Sequence, residues 1–167
     1  MKWFWFALYV ATIWLANWAL VRYGFVSIGF GLMAPAGVFF AGFALSFRDF
    51  LQEEGGRKLV VVAILCGAAL AYTIEPTFAV ASAVAFLCSE FADFAVYTPL
   101  RESHRYGALV ASNLVGAVVD SMLFLWLAFG TLSGWFGLTV GKAYMIVPAI
   151  LILWMIRSRQ DRMQPCI

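Results

Sequence analysis

The sequence is short of charge. Asp, Glu, Lys and Arg make up 12% of its 167 residues, against 64% hydrophobic residues and a mean hydropathy of +0.91. A soluble domain of this length needs a charged, polar coat, and too few such residues are present to make one. His104 is the only histidine and sits in a short polar loop, which leaves metal chemistry almost nothing to work with. Cys66, Cys88 and Cys166 show no spacing that reads as a metal site or a disulfide, and the first two, inside apolar runs, are expected to pack as small hydrophobes. Basic tracts and aromatic-basic faces are lacking, which argues against nucleic-acid binding. The apolar segments hold no nucleophile–base pair, metal cluster or phosphate-binding loop. Neither an enzyme nor a chain that uses ATP by itself is expected, and no cofactor.

What is present is a series of apolar runs. A helix needs roughly 20 apolar residues to cross a bilayer, and six candidates follow one another at about 3–21, 33–51, 59–74, 77–98, 107–129 and 138–156. The joints carry break signals: "RYGFVSIGFG", "EEGGRK", "EP", "PLRESHRYG" and "GTLSGWFG". The expected fold is an all-α integral membrane protein with six transmembrane helices in a single domain over 1–167. The first span lacks a small-residue cleavage pattern and reads as a retained helix rather than a signal peptide. Six spans put both termini on one side, together with Lys2, Arg57, Lys58, Arg101, Arg105, Arg157, Arg159 and Arg162, while the opposite loops hold Arg22. That bias places both termini in the cytoplasm. Trp3, Trp5, Trp18, Trp135 and Tyr106 lie near span ends and read as interfacial anchors.

Polar residues inside such spans stand out, because an acid or base at a helix centre costs about 2.5–3.5 kcal/mol. In "FLCSEFADFAVYTPLR", Phe86, Glu90, Asp93 and Tyr97 share one stripe of the fourth helix, with Ala81, Ala85, Cys88, Ala92 and Ala95 as a small opposite face for close helix approach. The fifth helix repeats the design with Asn113, Gly116, Asp120 and Phe124. Asp120 with Lys142, and Arg48 with Asp49, are the evident ion pairs; for Asp120 a structural and a functional role stay open. No cation is expected at the depth of Glu90, which points to a substrate or proton role. Asp93 is near enough to the fourth helix's end to reach Arg101 or Arg105. Asn113 either meets a substrate or bridges helices. Asp49 and Glu53, four apart, read as a solvated helix terminus. Asn17 and Glu90 are 73 positions apart, and Asp49 and Asp120 are 71 apart. Near-equal offsets suit a 3+3 inverted repeat, a transporter architecture.

Three blocks carry a resemblance: "ASAVAFLCSEFADFAVYTPLR", "SNLVGAVVDSMLF", and "DFLQEEGG" with Asp49, Glu53 and Gly56 in an Asp-x-x-x-Glu-x-x-Gly pattern. In these the chain resembles the queuosine-precursor transporters, also called the vitamin-uptake-transporter family. The resemblance implies import of 7-cyano-7-deazaguanine (preQ0), or its aminomethyl relative, across the bacterial cytoplasmic (inner) membrane for tRNA modification. Such a cargo suits the residues. One carboxylate accepts the N1 and exocyclic amine hydrogens side by side, the Asn113 amide can donate to O6, and Phe86, Tyr97 or Phe124 offers a π-face.

The expected substrate-binding set is Glu90, Asn113, Asp93, Phe86, Tyr97, Asp120, Asp49 and Phe124. The coupling or gating set is Asp120, Lys142, Asp49, Glu53 and Arg48. The expected partners are the 7-deazapurine and the lipid bilayer, with a homodimer left open. Two alternatives stand beside a secondary transporter. One is the substrate-binding subunit of an energy-coupling importer, docked through the small face of Ala7 and Ala11. The other is a structural membrane protein that transports nothing.

Overall fold

The computed structural model describes residues 1–100 and 105–145, apart from the side chains of Glu53, Phe94, Tyr97, Thr98, residues 105–110, Ser112 and Asn113. The first element, α1 (Lys2–Tyr23), stops at Gly24, whose φ of 63° and N–H bond to the Leu20 carbonyl (2.8 Å) close the helix. A residue without a Cβ takes that left-handed conformation at little cost.

The segment read as a joint, together with the first residues of the expected second span, Met33–Pro35, folds as a hairpin, so the fold is not purely α. Strand β1 (Phe25–Gly29) pairs antiparallel with β2 (Leu32–Pro35), matching Val26 to Ala34 and Ser27 to Met33. Val26 and Ile28 are half-buried while Phe25, Ser27 and Gly29 are exposed. This is the period-two alternation of a strand with one covered face, short enough to be lost among longer apolar runs.

Helix α2 (Val38–Tyr72) is one run of hydrogen-bonded turns but two limbs, broken at Gly56, where φ is 74° and ψ is 170°. That backbone region is essentially closed to residues with a Cβ. The first limb, 38–55, carries the second expected span and the limb 57–72 carries the third. Helix α3 (Pro76–Leu100) begins with a proline, whose missing N–H is no loss in a first turn. The Glu75 carboxylate accepts from the Thr77 N–H there at 3.3 Å. Helix α4 (Arg105–Phe129) ends at Gly130 (φ 67°), whose N–H bonds the Trp126 carbonyl at 2.9 Å. A further helical segment covers 135–145; the rest of the expected sixth span lies outside the described residues.

The first, third, fourth and fifth expected spans thus fall mainly on helical segments and the second does so from residue 38, its first residues belonging to β2 and the turn after it; of the sixth, 138–145 are helical. Among the described residues, Lys2–Tyr23 and Glu54–Tyr72 are long and apolar enough to cross a membrane, and Leu114–Phe129 is a shorter apolar helix. Large apolar side chains face outward on successive turns: Val61, Val62, Leu65 and Leu70, then Val80, Val84 and Phe91, then Leu114, Trp126 and Leu127. Water would penalise such a surface, whereas lipid does not.

Cys66 and Cys88 are free and exposed on these outward faces rather than packed. The small face expected on α3 accordingly splits. Ala81 and Ala85 are buried, but Cys88 and Ala95 share the outward stripe with Val80, Val84 and Phe91.

Helix α1 packs along α2, α3 along α4, and α2 meets α3 between these pairs. One apolar cluster joins Trp5, Tyr9 and Ile13 to Leu51, Val60, Ile64 and Phe86. A second joins Ala34 and Val38 to Leu125 and Leu138, with Ile28 and Trp135 against it. Trp5 belongs to the first cluster at 4% exposure, with its indole N–H donated to Glu54 Oε1 at 3.2 Å. It is a core residue, not an interfacial anchor, because α2 covers it. Trp3 and Trp18 are exposed; Tyr106 lies outside the described side chains.

Candidate functional site

Polar side chains collect where the two apolar clusters meet. On α1, Tyr9, Ile13 and Asn17 recur every four residues and so share the buried face. The first limb of α2 contributes Arg48, α3 contributes Ser82, Phe86 and Glu90, α4 contributes Asp120, Ser121 and Phe124, and the segment 135–145 contributes Lys142.

Asp120 and Lys142 form the expected pair, at 3% and 2% exposure. The Lys142 ammonium donates to Asp120 Oδ2 and, at 3.0 Å, to Ser121 Oγ. Ser121 in turn donates to the Ala117 carbonyl at 2.7 Å. Taking both charges out of water is expensive, and the added hydroxyl helps to offset that cost.

The second cluster corrects an expectation. Arg48 Nη1 lies 2.7 Å from Glu90 Oε1, so a cation does sit at the depth of Glu90, although the contact lacks the alignment of a hydrogen bond. Arg48 also binds its neighbour Asp49, through Nε at 3.0 Å and Nη2 at 2.8 Å to the same Oδ1. Pairing Arg48 with Asp49 from sequence treated its charge as used. A guanidinium carries five N–H donors, however, and can serve two carboxylates at once. Asp49 is correspondingly not a free helix terminus: it lies a turn and more before the break at Gly56, tied to a buried arginine.

Among the described residues, four buried polar atoms have no hydrogen-bond partner: Tyr9 Oη, Asn17 Oδ1, Glu90 Oε1 and Asp93 Oδ1. Tyr9 stands between the ionic clusters and feels the charges of Arg48, Glu90, Asp120 and Asp49. Asp93 faces α4 at Gly116, where an added Cβ would be 3.7 Å from its own Cβ. Orphaned buried acceptors are rare in native interiors and single out positions that water or a ligand completes.

A cleft with about 40 Å³ of free volume lies beside the Asp120–Lys142 pair, lined also by Asn17, Ser82, Phe86 and Phe124, with Ala16, Gly37 and Ala41 as small wall residues. That space suits a water or two and is well short of the roughly 300–1,000 Å³ typical of ligand pockets. Of the expected site residues, the structure brings Phe86, Asp120, Phe124 and Lys142 to this cleft. Glu90, Asp49 and Arg48 form the separate cluster, and the charge of Asp93, a turn along α3, acts on Glu90. The side chains of Asn113, Tyr97 and Glu53 lie outside the described residues, as do Arg101 and Arg105. Asn17, Ser82 and Tyr9 were not in the expected set. The signal for Asn17 and Tyr9 was available in the four-residue stripe of α1, where a carboxamide and a hydroxyl interrupt an otherwise apolar face; Ser82 gave none. Among the described residues, no group of three His, Cys, Asp or Glu side chains could hold a metal.

Residues 70–157 match the family described as "Putative vitamin uptake transporter". No curated protein and no solved structure matches the chain. The matched stretch contains Phe86, Glu90, Asp93, Asp120, Phe124 and Lys142, and with them both carboxylates that meet buried cations across helices.

Proposed function

The chain belongs to the vitamin uptake transporter family, and from that premise we propose that it is a secondary transporter importing a 7-deazapurine, 7-cyano-7-deazaguanine or a close relative, across the bacterial inner membrane. It acts as a carrier rather than an enzyme, with six spans in one transport domain and both termini in the cytoplasm. The observation that carries the reading is the cleft at the Asp120–Lys142 pair, flanked by Phe86 and Phe124.

The chemistry of that set matches the edge of a guanine-like base. The Asp120 carboxylate accepts from N1 and the exocyclic amine, the neighbouring Lys142 donates to O6, and the two phenyl rings cover the faces. Asp120 thus takes the part first expected of Glu90, because the free space lies beside Asp120. A base lacking the matching edge leaves buried charge unpaired and is rejected.

The narrow cleft represents a closed conformation. Loading needs the α1–α2 pair to part from the α3–α4 pair, as in the rocking of transporter halves. The Arg48–Glu90 contact crosses that seam, while the Arg48–Asp49 contact stays within α2. When the halves separate, Asp49 keeps Arg48 paired, so the gate opens without baring the cation. Transport down the gradient, with consumption of the base inside the cell as the sink, needs no further energy source.

The test is rescue of tRNA queuosine in cells that cannot make the precursor and are fed it. Wild type restores the modification, and Asp120→Asn abolishes rescue with the protein still in the membrane. Failure of the wild-type chain with every 7-deazapurine supplied overturns the cargo. The energy-coupled alternative has one observation in its favour, the exposure of Ala7 and Ala11 on α1. Uptake by the purified chain alone in proteoliposomes removes it.

A further inference from the structure

The Asn17 side chain is 2% exposed and lines the cleft. Its amide nitrogen donates to the Ile13 carbonyl at 2.9 Å, one turn back along α1. Its oxygen is buried and has no partner. The backbone bond fixes the orientation of the carboxamide: its nitrogen is turned back to Ile13, and its oxygen is the end left without a partner. An unpaired carbonyl oxygen in a water-poor interior is costly, and the cost is relieved when a ligand N–H arrives.

Across the cleft stand a carboxylate, also an acceptor, and an ammonium, which only donates. The cleft therefore offers acceptors from two of its walls, Asn17 on α1 and Asp120 on α4. An exocyclic amine conjugated to a ring carries two hydrogens pointing apart. One can lie beside the ring N–H toward Asp120, which leaves the second to be met from another wall.

We propose that Asn17 is a specificity-determining residue of the cleft: its Oδ1 accepts the second hydrogen of the ligand's exocyclic amine and so selects 2-amino bases over bases lacking that amine. This rests on the cargo reading above and goes beyond it, since Asn17 lies outside the stretch that matches the family. It also gives the first pair of helices a share in recognition, with α1 supplying one acceptor and α4 the other. Binding then draws the two pairs together, because each holds one hydrogen of the same amine.

The experiment measures uptake into proteoliposomes, and competition binding in detergent, with two probes: 7-cyano-7-deazaguanine and its counterpart without the 2-amino group. Wild type, Asn17→Leu and Asn17→Asp are compared, each checked for folding by its melting curve. Wild type is expected to favour the amino-bearing base by about 5- to 150-fold, the worth of a buried acceptor left unpaired. Asn17→Leu lowers that ratio by about fivefold or more, mainly by weakening the amino-bearing base and leaving the share owed to Asp120, which meets the amine's other hydrogen, while Asn17→Asp, which retains an acceptor, keeps the ratio within about threefold of wild type. A wild-type chain that takes up both bases equally overturns the role of Asn17, and with it the pairing of the amine to Asp120, while import of the amino-bearing base still stands. An Asn17→Leu chain that is folded and weakens both bases in the same proportion overturns the role of Asn17 and leaves the cargo reading standing. Wild type that moves and binds neither base overturns both readings.

Discussion

Replacing Lys142 with Met separates the two things the Asp120–Lys142 pair does. Met has nearly the length and volume of Lys but no charge, so packing changes little while the Asp120 carboxylate, 3% exposed, loses its counter-ion. Removing one partner of a buried ion pair costs about 3–5 kcal/mol. For a chain of this length that is a drop of about 6–20 °C in melting temperature. The double variant Asp120→Asn, Lys142→Met leaves no buried charge behind and is expected to return to within about 1 kcal/mol of wild type, since an uncharged pair of similar shape is often neutral.

Stability is read by unfolding in mixed SDS–detergent micelles and function by uptake of the labelled base in proteoliposomes. The single variant should lose both, and the double variant should regain stability alone, because the carboxylate and ammonium that meet the ligand are gone. A Lys142→Met chain that unfolds with wild type would show that burial does not make the pair costly to break. A double variant that recovers uptake along with stability would reduce the pair to a structural brace.

Three further expectations use the same measurements. Arg48→Met takes the guanidinium away from both Asp49 and Glu90 and should cost about 3–5 kcal/mol, whereas Glu90→Gln leaves Arg48 held by Asp49 and should cost about 1 kcal/mol; equal losses would contradict the shared guanidinium. Gly56→Ala forces a Cβ onto a backbone at φ 74° and ψ 170°, so a loss of about 1–3 kcal/mol is expected, and an unchanged melting curve would mean that the two limbs of α2 do not need this bend. Gly37→Ala places a Cβ 2.9 Å from the Ala16 carbonyl carbon, pushing α1 off α2 at the cleft wall; about 1–3 kcal/mol of overpacking and slower uptake should follow, and wild-type behaviour in both assays would refute that close approach.

Much of the helical skeleton was legible because its cause is local. Apolar runs of the right length, broken by Gly, Pro and short charged clusters, leave little choice but helices whose backbone groups satisfy themselves. The hairpin at 25–35 escaped notice because an alternation of a few residues is a weak signal in so apolar a chain. The stripe logic placed Phe86, Asp120 and Phe124 correctly on inward faces. It gave half of the small face of α3 to the interior wrongly, since helical period says which residues share a side but not where a neighbour ends.

Gly56 shows the contrast at one residue: its place in the Asp-x-x-x-Glu-x-x-Gly pattern was visible, but the reason for a glycine there emerged only with its φ and ψ. The pairing of charges lay further out of reach. Which carboxylates Arg48 serves depends on the depth at which α2 passes α3, a distance between elements far apart in sequence. Period and composition determined a helical, lipid-compatible chain with acids on its inner faces. Only the packing of α1 against α2 and of α3 against α4 decided that Glu90 is held by a cation while open space lies beside Asp120, because free volume and charge neutralisation belong to the assembled helices and to no single stretch of the chain.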